Sequence, residues 1–121
     1  MIHGLDHTAI VVPTERLEEA RHFYSGLLGL QEASRPDAEL VRPGIWYRLG
    51  DAGLHIQCRD GAAPDLSDHH PALVVDDVSA LKERLRADGV EVSDAPTLLG
   101  RERFFCRDPF GNRIEFVAPR A

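Results

Sequence analysis

Two histidines occupy the same position in a sequence segment that this chain contains twice. The segment beginning at Asp6 reads DHTAIVV, and the segment beginning at His69 reads HHPALVV. An offset of 63 residues sets His7 on His70 and also matches an alanine and a Val-Val pair in each copy. Imidazole transfers protons near neutral pH and ligates metal ions. His7 and His70 are therefore the first candidates for chemistry.

A second match joins the ends of the two copies. Setting Gly53 on Gly111 places Gln57 on Glu115. Side chains alternate along a strand, so His55 shares a face with Gln57. A glutamate can act as a general base or a metal ligand, whereas a glutamine offers only a neutral amide. This offset predicts that the two copies differ by one carboxylate.

The elements around these residues follow one order in both copies. Each histidine lies in a short apolar run that is typical of a strand. A helix is predicted after each run, with Thr14 and Asp77 as N-caps, and each helix is predicted to stop at a glycine, Gly29 or Gly89. Further strands are predicted at IWYRLG, at RERFFCR and in the segments that follow them. Each copy therefore reads as a strand, a helix and three strands.

This order predicts an α+β fold made of two βαβββ modules. A unit of this kind cannot cover both faces of its own sheet, so we expect the modules to form a curved mixed sheet with helices on the outer face. We expect one domain over residues 1–121, with module one at about 1–60 and module two at about 68–121. The polar segment RDGAAPDLSD separates them.

Composition excludes several classes of partner. The formal net charge is −6 and no run of Lys or Arg occurs, which argues against nucleic acid. Apolar stretches are too short to span a bilayer, and the first residues do not resemble a secretory signal. Only two cysteines, Cys58 and Cys106, occur, which fits a reducing compartment. We therefore expect a cytoplasmic protein without membrane contact.

Four segments together resemble the vicinal-oxygen-chelate superfamily, which includes glyoxalase I, fosfomycin-resistance proteins, extradiol dioxygenases and bleomycin-resistance proteins. The segments span nearly the whole chain and read LDHTAIVV, ARHFYSGLLGL, HHPALVVDDVSALKERLRADGV and RFFCRDPFGNRIEF. The last is the most specific, because DPFGNRIEF combines turn residues, strand residues and a carboxylate at fixed offsets. The chain is identified as a member of this superfamily.

The resemblance implies a metal site with ligands from the first and last strands of each module. Carried over by position, the ligands are His7, His70 and Glu115, with Gln57 at the place where glyoxalase I enzymes have a glutamate. Glu115 is also the implied catalytic group. Two imidazoles and one carboxylate suit zinc, nickel, manganese, iron or cobalt, and leave positions open for a substrate with two adjacent oxygens.

Other residues are candidates for contact with the substrate. His55 is either an additional ligand or a substrate contact, and Arg103 and Arg113 could bind an anionic group. The aromatic residues Trp46 and Phe105 are expected in the core or at a dimer interface. The open sheet edge of so short a chain favours a homodimer.

Three functions remain open at this point. The first is a small metal-dependent lyase, isomerase or ring-opening enzyme that acts on a small metabolite with vicinal oxygens. The second is a metal-free protein that binds a drug or metabolite, as bleomycin-resistance proteins do. The third is an iron enzyme of the extradiol-dioxygenase type, since two histidines and a carboxylate also form the non-haem iron triad. Replacement of the second carboxylate by Gln57 argues against a glyoxalase I-like proton shuttle.

Overall fold

A computed structural model describes residues 1–36 and 41–121 of the chain. They form two compact units, Met1–Ala63 and Pro64–Ala121. The division falls within the polar segment that separates the two sequence copies. No helix in the described part of the chain is long and apolar enough to cross a membrane.

The first unit is a four-stranded mixed sheet with one helical segment. Strand β1 (His7–Pro13) leads into a helical segment made of a 3₁₀ turn (Thr14–Arg16), helix α1 (Leu17–Arg21) and π-helical turns (His22–Leu27). Strands β2 (Gln31–Ala33), β3 (Gly44–Leu49) and β4 (Ala52–Arg59) follow. The strand order is β1-β4-β3-β2, and only β1 and β4 are parallel.

The second unit repeats this arrangement. Its elements are β5 (Ala72–Val74), α2 (Val78–Ala87), β6 (Val92–Asp94), β7 (Arg103–Arg107) and β8 (Arg113–Val117). The strand order is β5-β8-β7-β6, with β5 and β8 parallel. The predicted α+β fold of two βαβββ modules is confirmed.

The helix ends follow the predicted signals with one exception. Asp77 caps α2, since its side chain accepts a hydrogen bond from the Ala80 N–H at 2.9 Å. The prediction for Thr14 is wrong, because the first helical segment begins after Pro13 without a side-chain cap. Gly29 and Gly89 have φ of 73° and 82°, the left-handed conformation that ends a helix and favours glycine.

The apolar core of each unit lies on one face of its sheet. In the first unit the buried strand residues alternate with partly exposed ones, and the helical segment contributes further buried residues. They are Ile10, Val12, Ile45, Tyr47, Leu54, Ile56, Ala20, Phe23, Tyr24 and Leu27. Their counterparts in the second unit include Phe104, Cys106, Ile114, Phe116, Val78 and Leu85. In the second unit Phe105, Glu115 and Val117 on the opposite face are buried as well.

The turn before β8 is held by a buried carboxylate. Asp108 is 4% exposed and accepts hydrogen bonds from the backbone N–H groups of Phe110 and Asn112 and from the Asn112 side chain. Gly111 has φ of 93°, and a Cβ there would lie 2.9 Å from the Asp65 carbonyl oxygen. The DPFGN segment is therefore a fixed turn that determines where β8 begins.

Candidate functional site

The second unit brings His70 and Glu115 into contact. His70 Nε2 lies 3.0 Å from Glu115 Oε1, and the carboxylate is 6% exposed. His70 Nδ1 lies 2.8 Å from the Asp68 carbonyl oxygen. A carbonyl only accepts, so Nδ1 carries the proton and donates it. In the neutral imidazole, the lone pair of Nε2 therefore faces the carboxylate.

Two predicted arginines and an aromatic ring surround this pair. An Arg103 guanidinium nitrogen lies 3.7 Å from Glu115 Oε1, and Arg103 Nε donates to the Pro96 carbonyl at 2.9 Å. The Arg113 guanidinium stacks over the Phe105 ring at 3.9 Å, and that ring meets His70 edge-on at 5.1 Å. The second unit therefore brings together four of the residues singled out from the sequence, His70, Glu115, Arg103 and Arg113. Phe105 is buried, as expected.

The first unit places three rings in a stack across its sheet. His55 on β4 lies between His7 on β1 and Trp46 on β3. The ring centroids of His55 and His7 are 4.1 Å apart with an interplanar angle of 14°, and those of His55 and Trp46 are 4.2 Å apart with an angle of 5°. His7 Nδ1 lies 2.8 Å from Asp6 Oδ2. The carboxylate orients His7, which leaves Nε2 as the nitrogen with the lone pair.

This stack borders a cavity of about 510 Å³. Its walls come from the ends of β1, β3 and β4 and from the residues flanking the undescribed segment 37–40. The lining residues are Asp6, His7, Arg35, Arg42, Pro43, Trp46, His55, Ile56, Gln57 and Cys58. Trp46 lies outside the core, because it alternates along β3 with the buried Ile45 and Tyr47 and lines the cavity. Its position at a dimer interface stays a prediction.

Strand register corrects the position assigned to Gln57. In the first unit Ala9 pairs with His55, and in the second Ala72 pairs with Glu115. Because the repeat sets Ala9 on Ala72, His55 occupies the position equivalent to Glu115. Gln57 lies two residues further along β4, where it lines the cavity.

The error has a physical cause in the two hairpins. Strands β3 and β4 are joined by the two residues Gly50 and Asp51, whereas residues 108–112 join β7 and β8. Gly53 lies inside β4, whereas Gly111 lies in the turn. Aligning these glycines therefore shifted the strands by two residues.

The donor atoms of the two units differ in how well they suit a metal ion. In the second unit the Nε2 lone pair of a neutral His70 would face Glu115 Oε1 at 3.0 Å, a contact that either a proton on Nε2 or a metal cation satisfies. Metal-binding histidines usually donate their other ring N–H to an oxygen, and Asp68 and Asp6 supply such oxygens to His70 and His7. Within residues 1–36 and 41–121, no three His, Cys, Asp or Glu side chains form a metal-ligating group. The pair His70 and Glu115 in the second unit suits a divalent ion, whereas His7 and His55 in the first unit are stacked with nearly parallel ring planes.

Neither cysteine offers a thiolate to this site. Burial raises the pKa of the Cys106 thiol to about 12, and burial also raises the pKa of the half-buried Cys58. Both thiols are therefore protonated at neutral pH, although Cys58 lines the cavity. Nitrogen and oxygen donors remain, as the sequence indicated.

Comparison with known proteins gives a consistent family. The model of the Glyoxalase/Bleomycin resistance protein/Dioxygenase superfamily matches residues 4–116. A glyoxalase family protein of Bacillus anthracis is 35% identical, with a TM-score of 0.89, and the match covers 99% of this chain and 98% of that one.

Two more distant structures share the fold. A lactoylglutathione lyase of Agrobacterium tumefaciens is 21% identical, with a TM-score of 0.72 and coverage of 98% and 95%. The fosfomycin resistance protein FosX of Listeria monocytogenes is 20% identical, with a TM-score of 0.75 and coverage of 99% and 96%. Comparison with curated protein sequences gave no match. The matched family model and the Bacillus relative show that the chain belongs to the Glyoxalase/Bleomycin resistance protein/Dioxygenase superfamily.

Proposed function

We propose that the chain is a small metal-dependent enzyme of the glyoxalase type. It catalyses a lyase, isomerase or ring-opening reaction on a small metabolite with two adjacent oxygens. One observation carries the proposal. The Asp68 carbonyl accepts the Nδ1 proton of His70, so that in the neutral imidazole the Nε2 lone pair faces Glu115 Oε1 at 3.0 Å. A divalent cation would satisfy both atoms at once.

The proposed ligand set has contributions from both units. His70 and Glu115 form one half. His7 forms the other half together with His55, which holds the position equivalent to Glu115. Gln57 is retained as a weaker ligand or a substrate contact, because an amide oxygen is neutral.

The chemistry depends on one carboxylate. When bound, the ion polarises a carbonyl or hydroxyl oxygen of the substrate. Glu115 takes up the proton that the substrate releases, and a guanidinium nitrogen of Arg103 lies 3.7 Å from its Oε1 atom. Arg113, held against Phe105, offers a guanidinium to an anionic group of the substrate. Because His55 is not a carboxylate, a proton shuttle between two glutamates is not part of this proposal.

A metal-free binding protein is the second candidate. The cavity of the first unit favours it, because about 510 Å³ lined by aromatic, cationic and amide groups can hold a ligand without any reaction. An extradiol-type iron enzyme is a variant of the first candidate, since it uses two histidines and one carboxylate.

We further propose a cytoplasmic homodimer. The strands β1 and β5 lie at sheet edges, and Val74 on β5 is 64% exposed, which suits pairing with a second copy. Both cysteines are free, which fits a reducing compartment. Sedimentation at tens of micromolar tests the assembly, and a monomer there would contradict it.

Metal binding tests the main proposal directly. Tag-free protein is dialysed against zinc, nickel, manganese, iron or cobalt, and bound metal is measured by mass spectrometry. We expect His70→Ala to weaken binding at least about 100-fold, because it removes a ligand rather than a supporting residue. His69→Ala is the matched control, since His69 is exposed and donates only its backbone N–H, to the Ser67 hydroxyl.

The outcomes separate the two candidates. Retention of metal by wild type and His69→Ala, and its loss from folded His70→Ala, supports the enzyme. Failure of folded wild type to bind any of the five metals contradicts it and leaves the metal-free binding protein.

A further inference from the structure

The cavity of the first unit contains cationic groups that the proposed metal chemistry does not use. Two arginines, Arg35 and Arg42, line it together with Trp46 and the His7–His55 pair. Among the described residues that line it, the only carboxylate is that of Asp6, which lies 2.8 Å from His7 Nδ1. The described walls are therefore net positive, in a chain whose formal net charge is −6. A positive cavity in an acidic protein favours an anionic ligand.

Arg35 has a structural role in this cavity. It donates hydrogen bonds to the carbonyl oxygens of Gly44, at 3.0 Å, and Arg42, at 2.6 Å. Glycine at position 44 permits close packing against β4, because a Cβ there would lie 2.7 Å from the Ile56 carbonyl oxygen, whereas its 3.5 Å distance from Arg35 would be an ordinary contact. Arg35 therefore fixes the backbone that presents Arg42 to the cavity.

Arg42 has the properties of a ligand-binding side chain. It is exposed, and no hydrogen bond or ion pair engages its guanidinium within the described residues. Guanidinium groups bind carboxylate and phosphoryl oxygens through paired hydrogen bonds. The Trp46 indole, stacked on His55 at 4.2 Å, gives the cavity a flat wall.

We infer that this cavity binds the anionic end of the substrate, a carboxylate or phosphoryl group, through Arg42. The inference rests on the proposed function and deepens it. An oxyanion at Arg42 would direct the adjacent oxygen of the same molecule toward His7 and His55, which line the same cavity. The substrate class is thus a small α-oxygenated acid, either carboxylic or phosphonic.

Trp46 is a built-in reporter, because it is the only tryptophan in the chain. Metal-free protein, prepared with a chelator, is titrated at low ionic strength with glycolate and with hydroxymethylphosphonate while tryptophan fluorescence is recorded. These two probes share the adjacent hydroxyl and differ only in the anionic group. We expect a saturable change, and the smaller Kd identifies the preferred anion.

Substitutions of Arg42 test whether this residue binds the anionic group. We expect Arg42→Gln to raise the Kd at least about tenfold, because a charge-assisted hydrogen bond is lost. Arg42→Lys keeps the charge but loses the paired geometry, and should fall in between. Arg48→Gln is the matched control, an exposed arginine on the same strand as Trp46 that does not line the cavity, and should change the Kd less than about twofold.

The result is distinguishable from the test of metal binding. A saturable, Arg42-dependent signal without metal supports the inference, even if the protein binds no metal. Absence of a signal in metal-free wild type, or an unchanged Kd in Arg42→Gln, overturns it. Binding that requires added metal and ignores Arg42→Gln also overturns it, while leaving the proposed enzyme standing.

Discussion

In the first unit the position paired with Ala9 is His55, and in the second the position paired with Ala72 is Glu115. The neighbouring strand supplies an aromatic residue in both units, Trp46 beside His55 and Phe105 beside Glu115. The backbone repeat is thus retained while the side chains differ. One unit has a stack of three rings, and the other has an ion pair beside a histidine.

The two units share the orientation of the first-strand histidine and differ in the charged group beside it. In both units an oxygen holds Nδ1 of the first-strand histidine, through Asp6 in one and the Asp68 carbonyl in the other. Only the second unit places a carboxylate against the opposite ring nitrogen. The duplicated scaffold therefore keeps the orientation of the first-strand histidine, while the residue at a single position determines whether a carboxylate lies against it.

The largest effect is expected from making the two units alike. His55→Glu puts a carboxylate at the position equivalent to Glu115, and we expect it to raise proton-transfer activity on an α-hydroxycarbonyl substrate by about 100-fold, the usual contribution of a general base. Gln57→Glu is the matched control, because it adds the same charge two residues away on the same strand. Turnover of both variants, loaded with the same metal, is compared with wild type.

The Gln57→Glu control shows whether the equivalent positions of His55 and Glu115 also determine activity. If Gln57→Glu raises turnover as much as His55→Glu, strand register does not determine the role of this position. If neither variant differs from wild type in turnover, proton transfer does not limit the reaction. The two units can then be compared only by what they bind.

Local sequence signals predicted most of the fold. Hydrophobic alternation found β3 and β7, and the glycines Gly29 and Gly89 marked both helix ends. Asp77 was recognised as a cap because its side chain acts within its own turn. The prediction of Thr14 as an N-cap was wrong. The backbone is extended at Pro13, and the helical segment that follows it begins without a side-chain cap. Signals that act over a few residues were therefore sufficient for the elements themselves.

The site was harder to predict because it depends on register between strands distant in sequence. His70 and Glu115 are 45 residues apart, and their contact follows from the parallel pairing of β5 and β8. Because the two hairpin connections differ in length, the sequence repeat did not reveal that His55 and Glu115 occupy equivalent positions. Arg35 and Arg42 carried no motif, and their place in the cavity follows from backbone carbonyls that no sequence pattern reveals.

A smaller effect should distinguish the helices of the two units. Asp77→Ala removes the hydrogen bond to the Ala80 N–H, and we expect the free energy of unfolding to fall by about 1 kcal/mol. Thr14→Ala is the matched control in the first unit, and we expect a change of at most a few tenths of a kcal/mol, because no side-chain cap exists there. Urea unfolding at neutral pH measures both. Equal losses would contradict the assignment of the caps.

The smallest effect concerns an ion pair that both units contain between the helix and the following strand. Arg21 pairs with Glu32 in the first unit, and Lys82 Nζ lies 2.5 Å from Asp94 Oδ1 in the second. The hydrogen bond from Arg21 lowers the pKa of Glu32 below its ordinary value of 4.5, and the hydrogen bond from Lys82 lowers the pKa of Asp94 below 3.8. A lowered pKa stabilises the fold above the ordinary value, and this contribution is lost as the pH falls through the folded-state pKa.

Glu32→Gln and Asp94→Asn should therefore both reduce stability at pH 7, and each difference from wild type should vanish in acid. For Glu32 we expect a loss of only a few tenths of a kcal/mol, since the pair is largely exposed and water screens it. Urea midpoints measured from pH 7 down to pH 3 give the two profiles. The Asp94→Asn difference should persist to lower pH, because the ordinary pKa of an aspartate is lower. A difference that grows in acid would reverse the sign and show that these carboxylates are not stabilised by their cations.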